Sequence, residues 1–324
     1  MNTPLVSVIM PVYNTARYVE SALNSVLAQT FEDFEILIID DQGTDNSIEL
    51  CRRCSDPRIR IISQENRGLA GARNTGIRNA RGRFLAFLDS DDLWEAEKLA
   101  LHVAHLMTSP SVGVSYAASS MIDDDGEFLR IVQRPKLYKI SAKDVFLRNP
   151  IGNGSAPVIR AEVFGDIEFY SDDKPYVQYF DETFRQSEDI ECWTRIALST
   201  GWKFEGLDAV LTRYRINEGG LSANVIRQFE TWCRLRDKVN AINPVFAKKW
   251  SVKAEGFQLR YLARRCIRMG DGAMALSLVQ DALKTSPMIA VQEPLKTMTT
   301  VAAAVFMRVM PVFAQTRLQA AMQR

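Results

Sequence analysis

The first part of the chain alternates short apolar runs with longer mixed segments. The runs are Leu5–Val12, Phe34–Asp41, Arg58–Ile62 and Phe84–Leu88, each bounded by polar or turn-forming residues. Runs of this length predict buried strands. Between them the apolar positions recur at spacings of three and four, most clearly at Val19, Ala22, Leu23, Val26 and Leu27. That period predicts helices over 19–27, 48–54 and 70–80. Strand and helix in such alternation fold as a mostly parallel sheet with helices flanking it, an α/β class.

Further along, Leu93–Thr108 predicts one helix and Val112–Ser115 a strand. Asp125-Gly126 predicts the turn of a hairpin within Met121–Phe128, and Ala142–Arg148 a short helix. Gly152–Pro157 and residues 165–180 show neither period and are expected as a flexible loop and a mobile surface loop. A helix from Glu188 to Ser199 is followed by strands at Trp202–Phe204 and Val210–Ile216. From about Asn224 the pattern turns helical, with a pair at Phe257–Met269 and Ala273–Leu283. The apolar stretch Met288–Ala314 is broken by Gln292, Glu293, Pro294, Lys296, Arg308 and Pro311. It falls short of the roughly 20 apolar residues a spanning helix needs. Two readings stay open for it: a helix lying in a membrane interface with Lys296, Arg308 and Arg317 at headgroup level, or a helix packed on a neighbour or on a dimer partner.

Charge sharpens the division. Residues 225–324 carry 16 Lys or Arg against 6 Asp or Glu, whereas residues 1–224 carry 24 against 33. The basic rear segment has no aromatic-basic patch of recognisable spacing, so a nucleic-acid partner is not expected. Five cysteines in 324 residues make an odd number and favour a reducing compartment over a disulfide framework. The Cys51–Cys54 pair lacks the histidines or second pair of a zinc site and is expected to pack on a helix. The first residues do not read as a signal peptide. The expected location is therefore cytoplasmic, with peripheral contact at the inner face of the membrane as an option.

The chemistry concentrates beyond the strands. Asn14 follows the first, Asp40 and Asp41 the second, and Asp89, Asp91 and Asp92 the fourth. Parallel strands present these ends at one edge, where open α/β sheets bind ligands. Clustered carboxylates supply hard oxygen ligands for magnesium or manganese. No glycine fingerprint or phosphate loop with its lysine accompanies them, so ordinary dinucleotide and ATP-loop readings are weak.

Five segments in order, Pro11-Val12-Tyr13-Asn14, Ile39-Asp40-Asp41 with Asp45, Arg67-Gly68-Leu69-Ala70 running to Ala72-Arg73-Asn74 and Gly76, Asp89-Ser90-Asp91-Asp92, and Glu188-Asp189 with Trp193, resemble inverting family 2 glycosyltransferases. The resemblance covers about residues 5–220. It implies a GT-A fold over residues 1–223, leaving 224–324 as a basic helical domain that associates with membrane or oligomerises. By the same resemblance, a nucleoside-diphosphate sugar, most often a UDP-sugar, is the donor. A glycan or lipid-linked hydroxyl is the acceptor, in polysaccharide or other cell-envelope assembly.

Carried over residue by residue, Pro11, Tyr13, Asn14, Asp41, Arg73, Asp89 and Ser90 meet the nucleotide. Tyr13 lies beside the base, Asp41 accepts from its ring N–H, and Arg73 reaches a base carbonyl or a phosphate. Asp91, with Asp89, holds Mn2+ or Mg2+, and Asp92 organises the loop. Asp189 is the general base, while Glu188, Trp193 and Asn153 meet the acceptor or donor sugar. Two departures stand out: Gln42 separates Asp41 from Gly43, and Asn217 stands where many members have histidine. Any role of that histidine passes to water, Arg215 or another group. The alternative reading is a nucleotide-sugar or glycan binding module without turnover.

Overall fold

Nearly every apolar run forms a strand, and the segments between them coil into helices. The computed structural model describes residues 3–216 and 224–309. Its leading elements are β1 (Val6–Val12), α1 (Val19–Leu27), β2 (Phe34–Asp40), α2 (Ser47–Arg52), β3 (Ile59–Ser63), α3 (Gly68–Asn79), β4 (Phe84–Phe87) and β5 (Leu93–Trp94). Next come α4 (Lys98–Thr108), β6 (Val112–Ile122), β7 (Phe128–Gln133), α5 (Ala142–Arg148), β8 (Val158–Arg160), α6 (Ala161–Gly165), α7 (Glu188–Ser199) and β9 (Lys203–Arg215). The chain continues through α8 (Val225–Ile242), α9 (Pro244–Arg268), α10 (Gly272–Thr285), α11 (Met288–Gln292) and α12 (Pro294–Val309).

Among the described residues the strands form one sheet in the order β3-β2-β1-β4-β8-β6-β9-β5, with β7 paired to β6. The pairs β3–β2, β2–β1, β1–β4 and β6–β9 are parallel. Strand β8 runs antiparallel between β4 and β6. Period-two alternation divides the strands between two cores. Ile9, Leu37 and Phe87 point to one face, against Phe180 and Trp193. Val8, Met10, Ile36 and Ile38 point to the other, against Val19, Leu23 and Leu99. A sheet buried on both faces explains why β1 and β2 are almost wholly apolar in sequence.

Three expectations are corrected. The helix expected over Leu93–Thr108 begins only at Lys98, because Leu93 and Trp94 pair antiparallel with Arg213 and Thr212 of β9. The two strands expected after α7 are one continuous strand, β9. Residues 165–180, expected as a mobile loop, are tied down by Asn74. That fully buried side chain accepts from Tyr179 N (3.0 Å) and Phe180 N (2.8 Å) and donates to Phe180 O (2.8 Å) and Glu182 Oε1 (3.1 Å). Tyr176 is also held between two guanidiniums, Arg67 at 4.7 Å and Arg78 at 4.5 Å from its ring centroid.

The chain folds into two compact units, one within Met1–Val145 and Asn149–Asn217, the other within Phe146–Arg148 and Glu218–Arg324. In the second, Asn224, Asn243 and Asp271 cap α8, α9 and α10 through their side-chain oxygens. Trp232 stacks between Phe146 and Phe229. Burial would raise the Glu293 carboxyl, but hydrogen bonds from Arg148 and Arg260 hold it down at about 2. All five cysteines are free, and burial pushes the Cys51 thiol up to about 11, as befits a packing residue.

Replacing Asn74 with alanine strands two buried backbone amides and one carbonyl. The expected result is a loss of about 2–4 kcal/mol in urea unfolding. An unchanged midpoint would show that residues 176–182 do not depend on this anchor.

Candidate functional site at the carboxyl edge of the sheet

The loops after β1, β2 and β4 open on one edge because their strands run parallel. Pro11 sits in β1 beyond the last β1–β4 pair, Ile9 with Phe87, so its missing N–H falls where those strands part. Tyr13 follows, half exposed at 49%. Asn14 takes a left-handed conformation (φ 52°), which asparagine tolerates, and its Oδ1 accepts from Thr44 N at 2.7 Å. The loops after β1 and β2 are thereby joined.

Asp41 is 3% exposed. Its Oδ1 accepts from Gln64 Nε2 (2.6 Å) and Arg67 N (2.9 Å), and its Oδ2 from Gly68 N (2.9 Å). These amides begin α3, which has no side-chain cap of its own at Arg67. Asp41 therefore caps α3 from the end of a neighbouring strand. Burial raises its carboxyl above the ordinary range while these donors pull the other way. A carboxylate offers about four acceptor positions, so three donors leave capacity for one more.

The acidic loop after β4 is anchored from behind. Ser155 Oγ accepts from Asp89 N (3.0 Å) and donates to Asp92 Oδ2 (2.6 Å), while Asp92 Oδ1 accepts from Arg215 N (2.9 Å). The Arg215 guanidinium donates to the carbonyls of Asp91 (2.7 Å), Asp123 (2.5 Å) and Asp124 (3.0 Å) and lies over the Tyr18 ring. Asp92 thus faces inward at 1% exposure, leaving Asp89 and Asp91 partly exposed at the edge. Burial, then the charges of Asp91 and Asp89, raises the Asp92 carboxyl strongly. Behind it, Lys98 is fully buried, donating to Ala156 O (2.7 Å) and Thr212 Oγ1 (3.1 Å), and burial lowers its ammonium to about 7. Ser90 shares a hydrogen bond with Thr15 at 2.9 Å.

Opposite the loop, α7 begins after Ser187, itself left-handed (φ 56°). Arg73, 1% exposed on α3, connects the two sides. Its Nη1 donates to Glu188 Oε1 (2.5 Å) and its Nη2 to Asp89 Oδ1 (2.7 Å), while its Nε has no partner. A Cβ on Gly154 would lie 2.2 Å from Arg73 Nη2, so only glycine fits there. Burial raises the Glu188 carboxyl and Arg73 opposes the shift. Half-buried Asp189 is pushed up to about 7 by burial and by the charge of Glu188, again against Arg73.

Two sequence expectations are corrected here. Trp193 is fully buried, its ring edge-on to Phe180 at 5.8 Å, because the apolar stripe of α7 turns it into the core. The stretch Gly152–Pro157 is not a free loop: Asn153 is 7% exposed and donates to Ser119 Oγ (2.9 Å), and Ser155 is fully buried. Arg73 has both terminal nitrogens committed to carboxylates and joins the two halves of the site. Arg215, weighed as a stand-in for the missing histidine, is 5% exposed with its donors on carbonyls. Asn217 lies outside the described residues. The sequence reading missed Ser155; the signal was a serine between Gly154 and Ala156 in a stretch poor in charge.

Among the described residues no group of three or more His, Cys, Asp or Glu side chains is arranged to hold a metal ion. Asp89 and Asp91 offer two hard oxygen donors. Magnesium-type ions in phosphate-transfer sites commonly take one or two carboxylates and complete their shell with water and substrate oxygens. Burial first, and then the charges of Asp91 and Asp89, raise Asp92, so this loop gathers negative charge and its two outward oxygen donors fit such an ion.

Residues 7–167 match the family described as Glycosyl transferase family 2. An uncharacterized glycosyltransferase of Rickettsia conorii is 34% identical over 220 residues, which are 68% of this chain and 34% of that protein. The chain therefore spans about a third of the length of that relative. The UDP-Glc:alpha-D-GlcNAc-diphosphoundecaprenol beta-1,3-glucosyltransferase WfgD of Escherichia coli is 30% identical over 247 residues, 76% of this chain and 90% of that one. The mannosyltransferase PcManGT of Pyrobaculum calidifontis superposes with a TM-score of 0.58 at 22% identity, covering 95% of this chain and 87% of that one. The architecture is the expected GT-A type, with a mostly parallel sheet, flanking helices and a helical C-terminal segment.

The raised Asp189 carboxyl has a consequence for stability. A carboxyl lifted in the folded state favours folding below its unfolded value, near 3.8, and that contribution is lost as pH rises toward about 7. Asp189→Asn is expected to unfold at a higher temperature than the parent at pH 8, by roughly 2 kcal/mol after solvent screening. The gap is expected to close near pH 4. A constant difference across that range would contradict the raised carboxyl.

Proposed function

The chain belongs to glycosyl transferase family 2, and from that membership we propose that it is an inverting transferase. It moves a sugar from a UDP-sugar to a hydroxyl of a glycan or lipid-linked saccharide. One observation carries the reading: Arg73 holds Asp89 beside Glu188 and hence beside Asp189, joining the diphosphate end of the site to the base. The UDP donor and the lipid-diphosphate acceptor rest on the likeness to WfgD, whose name carries both.

In this reading the base of the nucleotide lies along exposed Tyr13, with Asp41 accepting from its ring N–H through its remaining acceptor position. Pro11, Asn14 and Ser90 shape the floor of the nucleotide site. The outward carboxylates Asp91 and Asp89 would hold Mn2+ or Mg2+, which supplies positive charge against the diphosphate as it departs. Asp189 takes the proton of the acceptor hydroxyl while that oxygen attacks the anomeric carbon from the face opposite the phosphate. The bond from that carbon to the phosphate oxygen breaks, and its electron pair leaves with UDP. A single displacement of this kind inverts configuration and needs a base close to neutral in basicity. The elevation of Asp189 to about 7 supports that role. Glu188, paired with Arg73, orients the base, and Asn153 braces the acceptor side through Ser119.

The pH dependence follows from the sign of the shift: protonation of Asp189 removes the base, so kcat/KM for UDP-glucose is expected to fall below about pH 7. Asp189→Asn should lower kcat about 10²–10⁴-fold with UDP affinity within about threefold. Asp91→Ala should weaken UDP binding in the presence of Mn2+ by about tenfold or more, read by calorimetry. UDP binding indifferent to both Mn2+ and Asp91 would sink this reading. Tight UDP binding without release of UDP from UDP-sugars in the presence of a diphosphoprenyl saccharide would point to a module without turnover.

A further inference from the structure

Helix α12 presents two faces of different origin. Thr297, Thr300, Ala304 and Met307 are buried, and Ala304 joins the apolar cluster of α9 and α10. The outer face is also apolar, which a solvent-facing helix has no reason to be. Val291, just upstream on α11, lies before it. On α12, with exposed Ala302 filling the turn between Met298 and Val305, it is formed by Leu295, Met298, Val305, Phe306 and Val309. Their exposures run from 44% at Val305 to 77% at Leu295. Single exposed apolar residues are ordinary, but a continuous stripe marks a contact surface.

Charge decides which contact. From Pro294 to residue 324 the sequence carries Lys296, Arg308, Arg317 and Arg324 and not one Asp or Glu. Glu293, the nearest acid, is engaged by Arg148 and Arg260 as well as by Lys296 at 3.3 Å, so three cations share its one charge. A second copy docking through this face would meet it symmetrically, bringing cations against cations with no acid of the segment to offset them. An anionic lipid surface offers the opposite: a hydrocarbon boundary for the stripe and negative headgroups for the flanking Lys296 and Arg308. The 16 described residues of α12 span about 24 Å against roughly 30 Å of hydrocarbon, and no described helix is long and apolar enough to cross a membrane.

We infer that α12 lies in the plane of an anionic membrane, with Leu295, Met298 and Phe306 in the acyl boundary and Lys296 and Arg308 among the headgroups. The claim rests on this helix alone and not on the transfer reaction, so a binding assay tests it whether or not UDP-sugars are substrates.

The test is flotation of the full chain with vesicles of phosphatidylcholine and phosphatidylglycerol in equal parts, beside vesicles of phosphatidylcholine alone, with light scattering for mass. The parent chain is expected to float with the anionic vesicles and to lose most of that binding in high salt. Leu295→Glu with Phe306→Glu, both at exposed positions, should reduce binding about tenfold or more. Lys296→Glu with Arg308→Glu should lower binding to anionic vesicles selectively. Failure of the parent chain to float, or parental binding by both double variants, overturns the inference. A parent dimer that becomes monomeric in Leu295→Glu with Phe306→Glu, without flotation, assigns the face to a second copy instead.

Discussion

One guanidinium determines whether this site exists. Arg73 is buried among phenylalanine and carboxylate, and its two terminal nitrogens bond two elements distant in sequence, the loop after β4 and the start of α7. A buried ion pair is weak evidence for stability, because desolvation offsets much of the Coulomb gain. Its value here lies in geometry. Arginine's planar fork fixes the angle between its partners as a lysine could not. It also keeps positive charge beside Glu188 and Asp189, whose burial pushes both carboxyls up. Asp189 sits at the balance point, raised by Glu188 and restrained by Arg73.

The acidic loop obeys the same logic in a different material. Its three aspartates cannot all face solvent from one tight turn, and the chain resolves this by turning Asp92 inward. There Ser155 and the backbone of Arg215 satisfy its oxygens. Ser155 also accepts the amide of Asp89, so one hydroxyl fixes both ends of the loop. Behind it, Lys98 is likewise fully buried and satisfied by Ala156 O and Thr212 Oγ1. The outward pair, Asp89 and Asp91, is held through its backbone by Ser155 and Arg215.

Much of this was readable from the amino acids. The parallel half of the sheet followed from apolar runs of strand length, and strand polarity alone put Asp41 and Asp91 on one edge. What escaped was tertiary. Leu93 and Trp94 carry a helix-compatible pattern, and only the presence of β9 alongside makes them a strand. Residues 165–180 have no period because they are anchored by side-chain bonds from Asn74 rather than by a ladder. Trp193 reads as a cleft aromatic next to two acids, yet three residues of helix past Ile190 carry it round to the core face. That Arg73 bonds both Asp89 and Glu188 escaped the sequence, because periodicity says nothing about what a buried cation meets.

The carboxylate of Asp41 links matters that are usually separated. It closes the amino end of α3, and the second turn of that helix carries Arg73 and Asn74. Pulling on that carboxylate, by a ligand or by substitution, acts on the same backbone that aims Arg73 at Glu188. On the proposed reading, recognition at one end of the cleft and proton transfer at the other would share a mechanical element, so a change of selectivity at Asp41 would reach the proposed base as well.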